Sequence, residues 1–246
     1  MNKIGRRLGA GKEADVYEYG EMALKLYRSR ASKGSAFREA ANLAVLETRS
    51  LPAPRIHAVR EYDGRWGVLM DRAPGICFAD RITPTAHMSD LETMAQLHRR
   101  IHEQPGSGLP SLKERLSTNI KRAKSLRAAA RDRLLGQMEA LPDGDRICHG
   151  DFHPWNIHES ASGIVVLDWL DACSGDPAAD VCRTYVLMHH VSPVVANAYV
   201  EAYARATGSS PANVLVWLAV VAAARLAEGV AAENDALLQL AGVARA

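Results

Sequence analysis

Cysteine is scarce in this chain, neither sign of charge dominates, and no apolar run is long. The four cysteines, Cys77, Cys148, Cys173 and Cys182, form no Cys-x-x-Cys pair and are not densely spaced. That argues against a disulfide framework and a cysteine-bound zinc, and fits a reducing cytoplasm. A formal net charge of +2 and a sequence pI near 8.4 fall short of the basic excess that a nucleic-acid partner demands. The longest apolar run, residues 214–224, is too short to cross a bilayer and predicts a core helix, so no membrane partner is expected. The basic start, Met1-Asn2-Lys3-Ile4-Gly5-Arg6-Arg7, lacks the apolar stretch of a signal peptide. No histidine is expected to be spaced like a zinc pair on a helix, and His189 and His190 are adjacent, so they face different ways. What remains is a 246-residue chain whose 48% hydrophobic content suffices for the core of one domain or two small ones.

The stretch that organises the chain is His149-Gly150-Asp151-Phe152-His153-Pro154-Trp155-Asn156-Ile157. It sets an aspartate and an asparagine five positions apart, and a second aspartate, Asp168, follows the apolar run Ile164-Val165-Val166-Leu167. This is the pattern of kinase-type phosphoryl transfer. One carboxylate accepts a hydroxyl proton, while the amide and the second carboxylate hold the magnesium that bridges the nucleotide phosphates. Asp151 is the candidate base, and Asn156 and Asp168 are the candidate metal ligands, since hard cations take oxygen donors. His149 is expected to support the backbone of the loop, and His153 to shape the turn with Pro154.

The first seventy or so residues read as five strands, at 4–8, 15–19, 21–27, 55–61 and 65–71, with one helix at 35–48. Gly20 and the pair Asp63-Gly64 supply turns. Between the first two strands, Gly9-Ala10-Gly11-Lys12-Glu13-Ala14-Asp15-Val16 matches a kinase glycine loop with Ala14 in the third glycine position. Glycine is useful there because a Cβ would keep the backbone from phosphate oxygens. The loop is not a Walker A motif.

Strand alternation puts Lys25 on one face with Ala23 and Tyr27. Glu39 shares a helical stripe with Ala36, Leu43 and Leu46 and has no basic residue three or four positions away. A carboxylate on a packed face needs a cation, and Lys25 is the candidate. Such a strand–helix pair aims a lysine at the α- and β-phosphates. The strand pattern ends at Leu69-Met70-Asp71-Arg72-Ala73-Pro74-Gly75, which predicts a nucleotide-binding lobe at 1–72 and a helical lobe with the catalytic loop and acceptor site at 73–246. The connector offers the Asp71 carbonyl and the Ala73 amide as adenine contacts.

The second part opens on a capping box, Ser89-Asp90-Leu91-Glu92, ahead of the stripe Leu91, Met94, Leu97, His98 and Ile101, which makes His98 a hydrogen-bonded core residue. Helices fill 112–141, where eight basic residues between Lys113 and Arg133 read as a solvated face or an anion-attracting wall. After Asp168 the chain reaches Asp176-Pro177 within eight residues. That leaves little room for the activation segment and peptide platform of a protein kinase, and favours a small-molecule acceptor.

These residues resemble the aminoglycoside phosphotransferase and choline kinase-like family, which shares the protein-kinase fold. The likeness covers nearly the whole chain: Gly9 to Val16, Lys25, Glu39, the connector at Asp71, Met94-Ala95-Gln96-Leu97-His98-Arg99, His149 to Asn156, and Gly175-Asp176-Pro177-Ala178-Ala179-Asp180. It implies an α+β, two-lobed fold, with a small antiparallel-sheet lobe carrying one helix and a larger, mostly helical lobe. By the resemblance Asp151 is the base, Asn156 and Asp168 hold the metal, Gly9, Gly11, Val16, Lys25, Glu39, Asp71 and Ala73 form the nucleotide site, and Asp180 is structural. It further implies ATP and Mg2+ as cofactors and a hydroxyl group of a small molecule as acceptor. The basic run and the few acidic candidates, Asp171, Glu228, Glu233 and Asp235, weigh against a polycationic acceptor. Two other readings use the same residues: a protein kinase, and a pseudokinase that binds nucleotide without turnover.

Overall fold

The computed structural model describes residues 3–28, 32–82 and 88–243, so Met1 and Asn2 of the basic start lie outside the described residues. The chain forms two compact units, 1–78 with 155–171, and 79–154 with 172–246.

The first unit is built on an antiparallel sheet in the order β1-β2-β3-β5-β4. Its elements are β1 (Arg7–Ala10), β2 (Ala14–Tyr19), β3 (Met22–Tyr27), α1 (Lys33–Glu47), β4 (Ile56–Tyr62) and β5 (Arg65–Asp71), followed by the short β6 (Ile76–Cys77). The hairpin between β4 and β5 turns on Asp63 and Gly64, both at positive φ, as a two-residue Asp-Gly turn requires. Alternation along β3 works as expected. Ala23 and Tyr27 pack in one cluster with Ala36, Val68, Met70 and Leu170, while Leu24 and Leu26 join Tyr19, Tyr62 and Leu69 in another.

The return of 155–171 to this unit differs from a single division after residue 72. Strands β8 (Ile157–Ser160) and β9 (Gly163–Val166) form a hairpin, and β6 pairs with β8 through Ile76 opposite Glu159. The Val166 amide donates to the Pro52 carbonyl at 2.6 Å. On α1, Asn42 Nδ2 donates to the carbonyls of Trp169 at 2.9 Å and Leu170 at 3.2 Å. The bonds from Val166 to Pro52 and from Asn42 to Trp169 and Leu170 join segments more than a hundred residues apart, which hydrophobic periodicity does not encode.

The second unit is mostly helical: α2 (Met88–His102), α3 (Leu112–Arg122), α4 (Ala128–Glu139), α5 (Pro177–Val191), α6 (Pro193–Thr207), α7 (Pro211–Val214), α8 (Leu218–Arg225) and α9 (Asn234–Leu240). A two-stranded ladder joins β7 (Arg146–Cys148) to β10 (Cys173–Gly175). Several helix starts carry side-chain caps. Ser111 Oγ accepts from the Glu114 amide, and Asp176 Oδ1 accepts from the Ala178 amide beside Pro177 at the first turn. The segment from Pro211 to Glu228 is long and apolar enough to cross a membrane. It is broken between α7 and α8, however, and Trp217, Val220 and Val221 pack in the buried core with Leu116, Ile120 and Leu134. Part of the basic run is structural. Lys113 donates to the Leu141 carbonyl at 2.7 Å, Arg131 to those of Ala123 and Leu126, and Arg133 to that of Gly242.

Candidate active site

In the first unit, Lys25 stands at the middle of β3, opposite Val16 of β2. Its Nζ donates to Glu39 Oε1 and to Asp168 Oδ1, each at 2.8 Å. The second Glu39 oxygen takes the Tyr27 hydroxyl. Glu39 is 1% exposed, so its charge needs this pairing, because an uncompensated buried charge costs several kcal/mol. Burial works against the lysine's charge, but the carboxylates of Glu39 and Asp168 outweigh it and hold the ammonium above the ordinary lysine range.

Asp168 keeps 43% of its side chain exposed and adopts φ +60°, a left-handed conformation that non-glycine residues rarely take and that concentrates at functional sites. The Leu167 amide donates to the Asn156 carbonyl at 2.8 Å, closing the β8–β9 hairpin. Asn156 and Asp168 therefore flank the base of one hairpin. An amide oxygen and a partly exposed carboxylate are the hard donors a magnesium ion takes, and they fit that ion.

The other nucleotide-site candidates are dispersed along the same sheet. Gly9 lies in β1 and Gly11 in the turn that follows, where its amide donates to the Ala14 carbonyl at 2.8 Å. The chain's own packing demands glycine at neither: a Cβ on Gly9 would meet nothing within 4 Å, and one on Gly11 only the Ala14 carbonyl at 3.3 Å. Asp71 ends β5 opposite Met22, three residues along β3 from Lys25. Its carboxylate bonds His57 Nε2 at 2.6 Å, a use that the sequence pattern does not foretell. Ala73 follows β5 and is half-buried.

In the second unit, Asp151 follows β7 on a loop held from below. The buried Asp180 of α5 accepts the His149 amide at 2.5 Å and the Gly150 amide at 2.8 Å, with Gly150 at φ +79°. The His149 ring accepts the Asp151 amide at 3.2 Å, which is backbone support. His98 and His102 each donate an Nε2–H to Asp180 Oδ2, at 2.9 and 3.2 Å. Their Nδ1 atoms hydrogen-bond with the hydroxyls of Tyr199 and Tyr203, at 2.6 and 2.7 Å. Burial and the neighbouring His102 push His98 down to about 3, so it is neutral. Burial alone would raise Asp180, but the two histidines hold it well below the usual carboxylate range.

Contrary to the expectation that no histidines share a zinc-type helical spacing, His98 and His102 stand four apart on one helix face, and with Asp180 their donor atoms lie within 4.8 Å of one another. The bonds to Asp180, Tyr199 and Tyr203 occupy both nitrogens of each ring, so the cluster is complete as a polar network that carries the loop.

Asp151 Oδ1 accepts from Arg183 Nη2 at 3.1 Å, and Oδ2 faces His153 Nε2 at 3.3 Å, so His153 touches the candidate base as well as shaping the turn. Burial acts to raise the Asp151 carboxyl, and the His153 hydrogen bond and the Arg183 charge more than reverse it, leaving it well below the usual range. Sequence reasoning missed Arg183, Tyr27 and Asn42. Arg183 sits three residues after Asp180, on the same helix face, and Tyr27 two after Lys25 on the same strand face, so both carried a spacing signal.

A family model described as the phosphotransferase enzyme family matches residues 4–214. Among solved structures, a thermostable mutant of aminoglycoside phosphotransferase APH(4)-Ia in apo form is 16% identical, with a TM-score of 0.65 over 99% of this chain and 96% of that one. Aminoglycoside phosphotransferase APH(3'')-Id from Streptomyces rimosus is 21% identical, with a TM-score of 0.61 over 89% and 92%. The amicoumacin kinase hAmiN, in complex with AMP-PNP, Ca2+ and Ami, is 14% identical, with a TM-score of 0.65 over 96% and 86%. No curated protein gives a significant match.

Proposed function

Because the chain belongs to the phosphotransferase enzyme family, we propose that it moves the γ-phosphate of ATP to a hydroxyl group of a small molecule. The observation that carries this reading is the Lys25 ammonium held between Glu39 and Asp168. A lysine fixed by a buried glutamate is aimed rather than free, and it is the group that engages α- and β-phosphates in kinase chemistry. Asn156 and Asp168 would hold magnesium, which supplies positive charge to the phosphate oxygens as the transfer proceeds. The open space around Gly9 supports a close backbone approach to phosphates.

In this reading Asp151 orients the acceptor hydroxyl. The acceptor oxygen bonds to the γ-phosphorus, the bond to the β–γ bridging oxygen breaks, ADP leaves, and the hydroxyl proton passes to Asp151. A carboxylate held so far toward its ionised form is a weak base, which suits a loose transition state in which the proton moves late and orientation matters most.

The acceptor is best read as a neutral or weakly charged hydroxyl compound. Two of the acidic residues that could bind ammonium groups, Glu228 and Glu233, already pair with arginines, Glu233 bidentately with Arg225. The four cysteines are free thiols, which supports a cytoplasmic setting. All of Lys25, Glu39, Asp151, Asn156 and Asp168 are present, which favours turnover over a pseudokinase.

A panel of hydroxylated metabolites, sugars and hydroxyl-bearing antibiotics, screened for ADP release with ATP and magnesium, tests the reading. Acceptor-dependent ADP release supports it. Tight nucleotide binding with no release across the panel supports the pseudokinase instead.

A further inference from the structure

The Asp151 carboxylate is one end of a row of alternating charges that the proposed reaction does not itself explain. Arg183 Nη2 has two hydrogens. It donates to Asp151 Oδ1 at 3.1 Å and forms an ion pair with Glu228 Oε1 at 2.8 Å. The Nε–H of the same guanidinium donates to the Gly150 carbonyl at 3.2 Å. Arg225 then bonds the second oxygen of Glu228 and grips both oxygens of Glu233, at 2.7 and 2.8 Å. The row is partly buried: side-chain exposure is 13% for Arg183, 11% for Arg225 and 10% for Glu233, rising to 30% at Glu228. Side chains fixed from both ends in such surroundings have one geometry open to them. A planar fork with several donors transmits that geometry, where a lysine would deliver a single point contact.

We propose that Arg183 is a positioning residue for the phosphotransfer base, gripping the Asp151 carboxylate and the Gly150 carbonyl together, and that Glu228, braced by Arg225 and Glu233, holds Arg183 in place. Asp180 fixes the loop from the amide side, through His149 and Gly150, and Arg183 fixes it from the carbonyl and carboxylate side. Among the described residues, His153 and His149 also face Asp151. Two grips on one dipeptide set both the rotamer of the carboxylate and the plane of the peptide before it. Orientation errors of this kind tell on rate more than on binding.

The inference rests on the reading of Asp151 as base, and the experiment separates the two. ADP release with an active acceptor from the panel is measured for Asp151→Ala, Arg183→Gln, Arg183→Lys and Glu228→Gln, with kcat and the KM for ATP determined separately. The expected pattern is a roughly 10- to 100-fold fall in kcat for Arg183→Gln at unchanged KM for ATP. Arg183→Lys should recover part of the loss, and Glu228→Gln should lose a few-fold in kcat. Full activity in Asp151→Ala sinks the base reading. An inactive Asp151→Ala beside an Arg183→Gln variant with unchanged kcat overturns the grip alone. If Arg183→Gln does not fold, Glu228→Gln decides: unchanged kcat there overturns the proposal.

Discussion

Lys25 Nζ and Asp168 Oδ1 meet at 2.8 Å although 143 residues separate them in the chain. Glu39 completes the group from α1, at the same distance from the ammonium. Removing the cation strands a carboxylate that is 1% exposed. Lys25→Met is therefore expected to cost about 3 kcal/mol of stability, and the double variant Lys25→Met/Glu39→Gln to recover most of it, because pairing and not packing is what the lysine supplies. Urea unfolding checks this, and equal stability in Lys25→Met and the parent protein contradicts it.

Much of that group was legible in advance. Strand alternation put Lys25 on one face with Ala23 and Tyr27, the helical stripe put Glu39 on the packed side, and a buried carboxylate without a cation on its own helix called for Lys25. The pairing of Lys25 with Asp168 was not legible, nor the return of 155–171 to the first unit, because both depend on backbone hydrogen bonds between β6 and β8 and between Val166 and Pro52. Arg183 was overlooked for a different reason: an arginine on a helix reads as solvated, and only the fold turns it toward Asp151. Two of the acidic residues considered for the acceptor, Glu228 and Glu233, are not free groups, since each has an arginine partner.

Asp168→Ala is expected to abolish the magnesium-dependent part of nucleotide stabilisation. In the parent protein, ATP with magnesium at about 100 times its Kd adds roughly 2.7 kcal/mol and raises Tm. The variant should show no difference between ATP with magnesium and ATP with a chelator. A retained magnesium-dependent shift counts against Asp168 as a ligand.

Two glycines separate ligand approach from chain packing. A Cβ on Gly75, at φ +99°, would come within 2.0 Å of the Glu159 carbonyl oxygen where β6 meets β8. Gly75→Ala should destabilise the protein by on the order of 3 kcal/mol. Gly9→Ala meets nothing within 4 Å and should leave stability within about 0.5 kcal/mol while weakening ATP binding. Thermal unfolding with and without nucleotide distinguishes the two. A Gly9→Ala variant that binds ATP normally removes the glycine loop from the site.

Acid should begin to destabilise the protein well above the carboxylate range. Folded His98 stays neutral down to about 3, whereas the unfolded chain protonates it near 6.5. Between those values the unfolded state binds more protons, so stability falls as pH falls, by at most about 1.4 kcal/mol per pH unit for one proton. Asp180 and Asp151, both depressed, add to the loss only below about pH 4, where their unfolded counterparts protonate. His189, also lowered by burial, acts in the same direction, so the readout is the difference between proteins. His98→Gln should flatten the stability profile between about pH 6.5 and 4 relative to the parent, and an identical slope contradicts a neutral, buried His98.

The most direct test of the catalytic reading is Asp151→Asn, assayed for acceptor-dependent ADP release alongside ATP-induced thermal stabilisation. The expected result is a fall in turnover on the order of 10²–10⁴-fold with the nucleotide-induced shift intact. Undiminished ADP release from that variant would contradict Asp151 as the base.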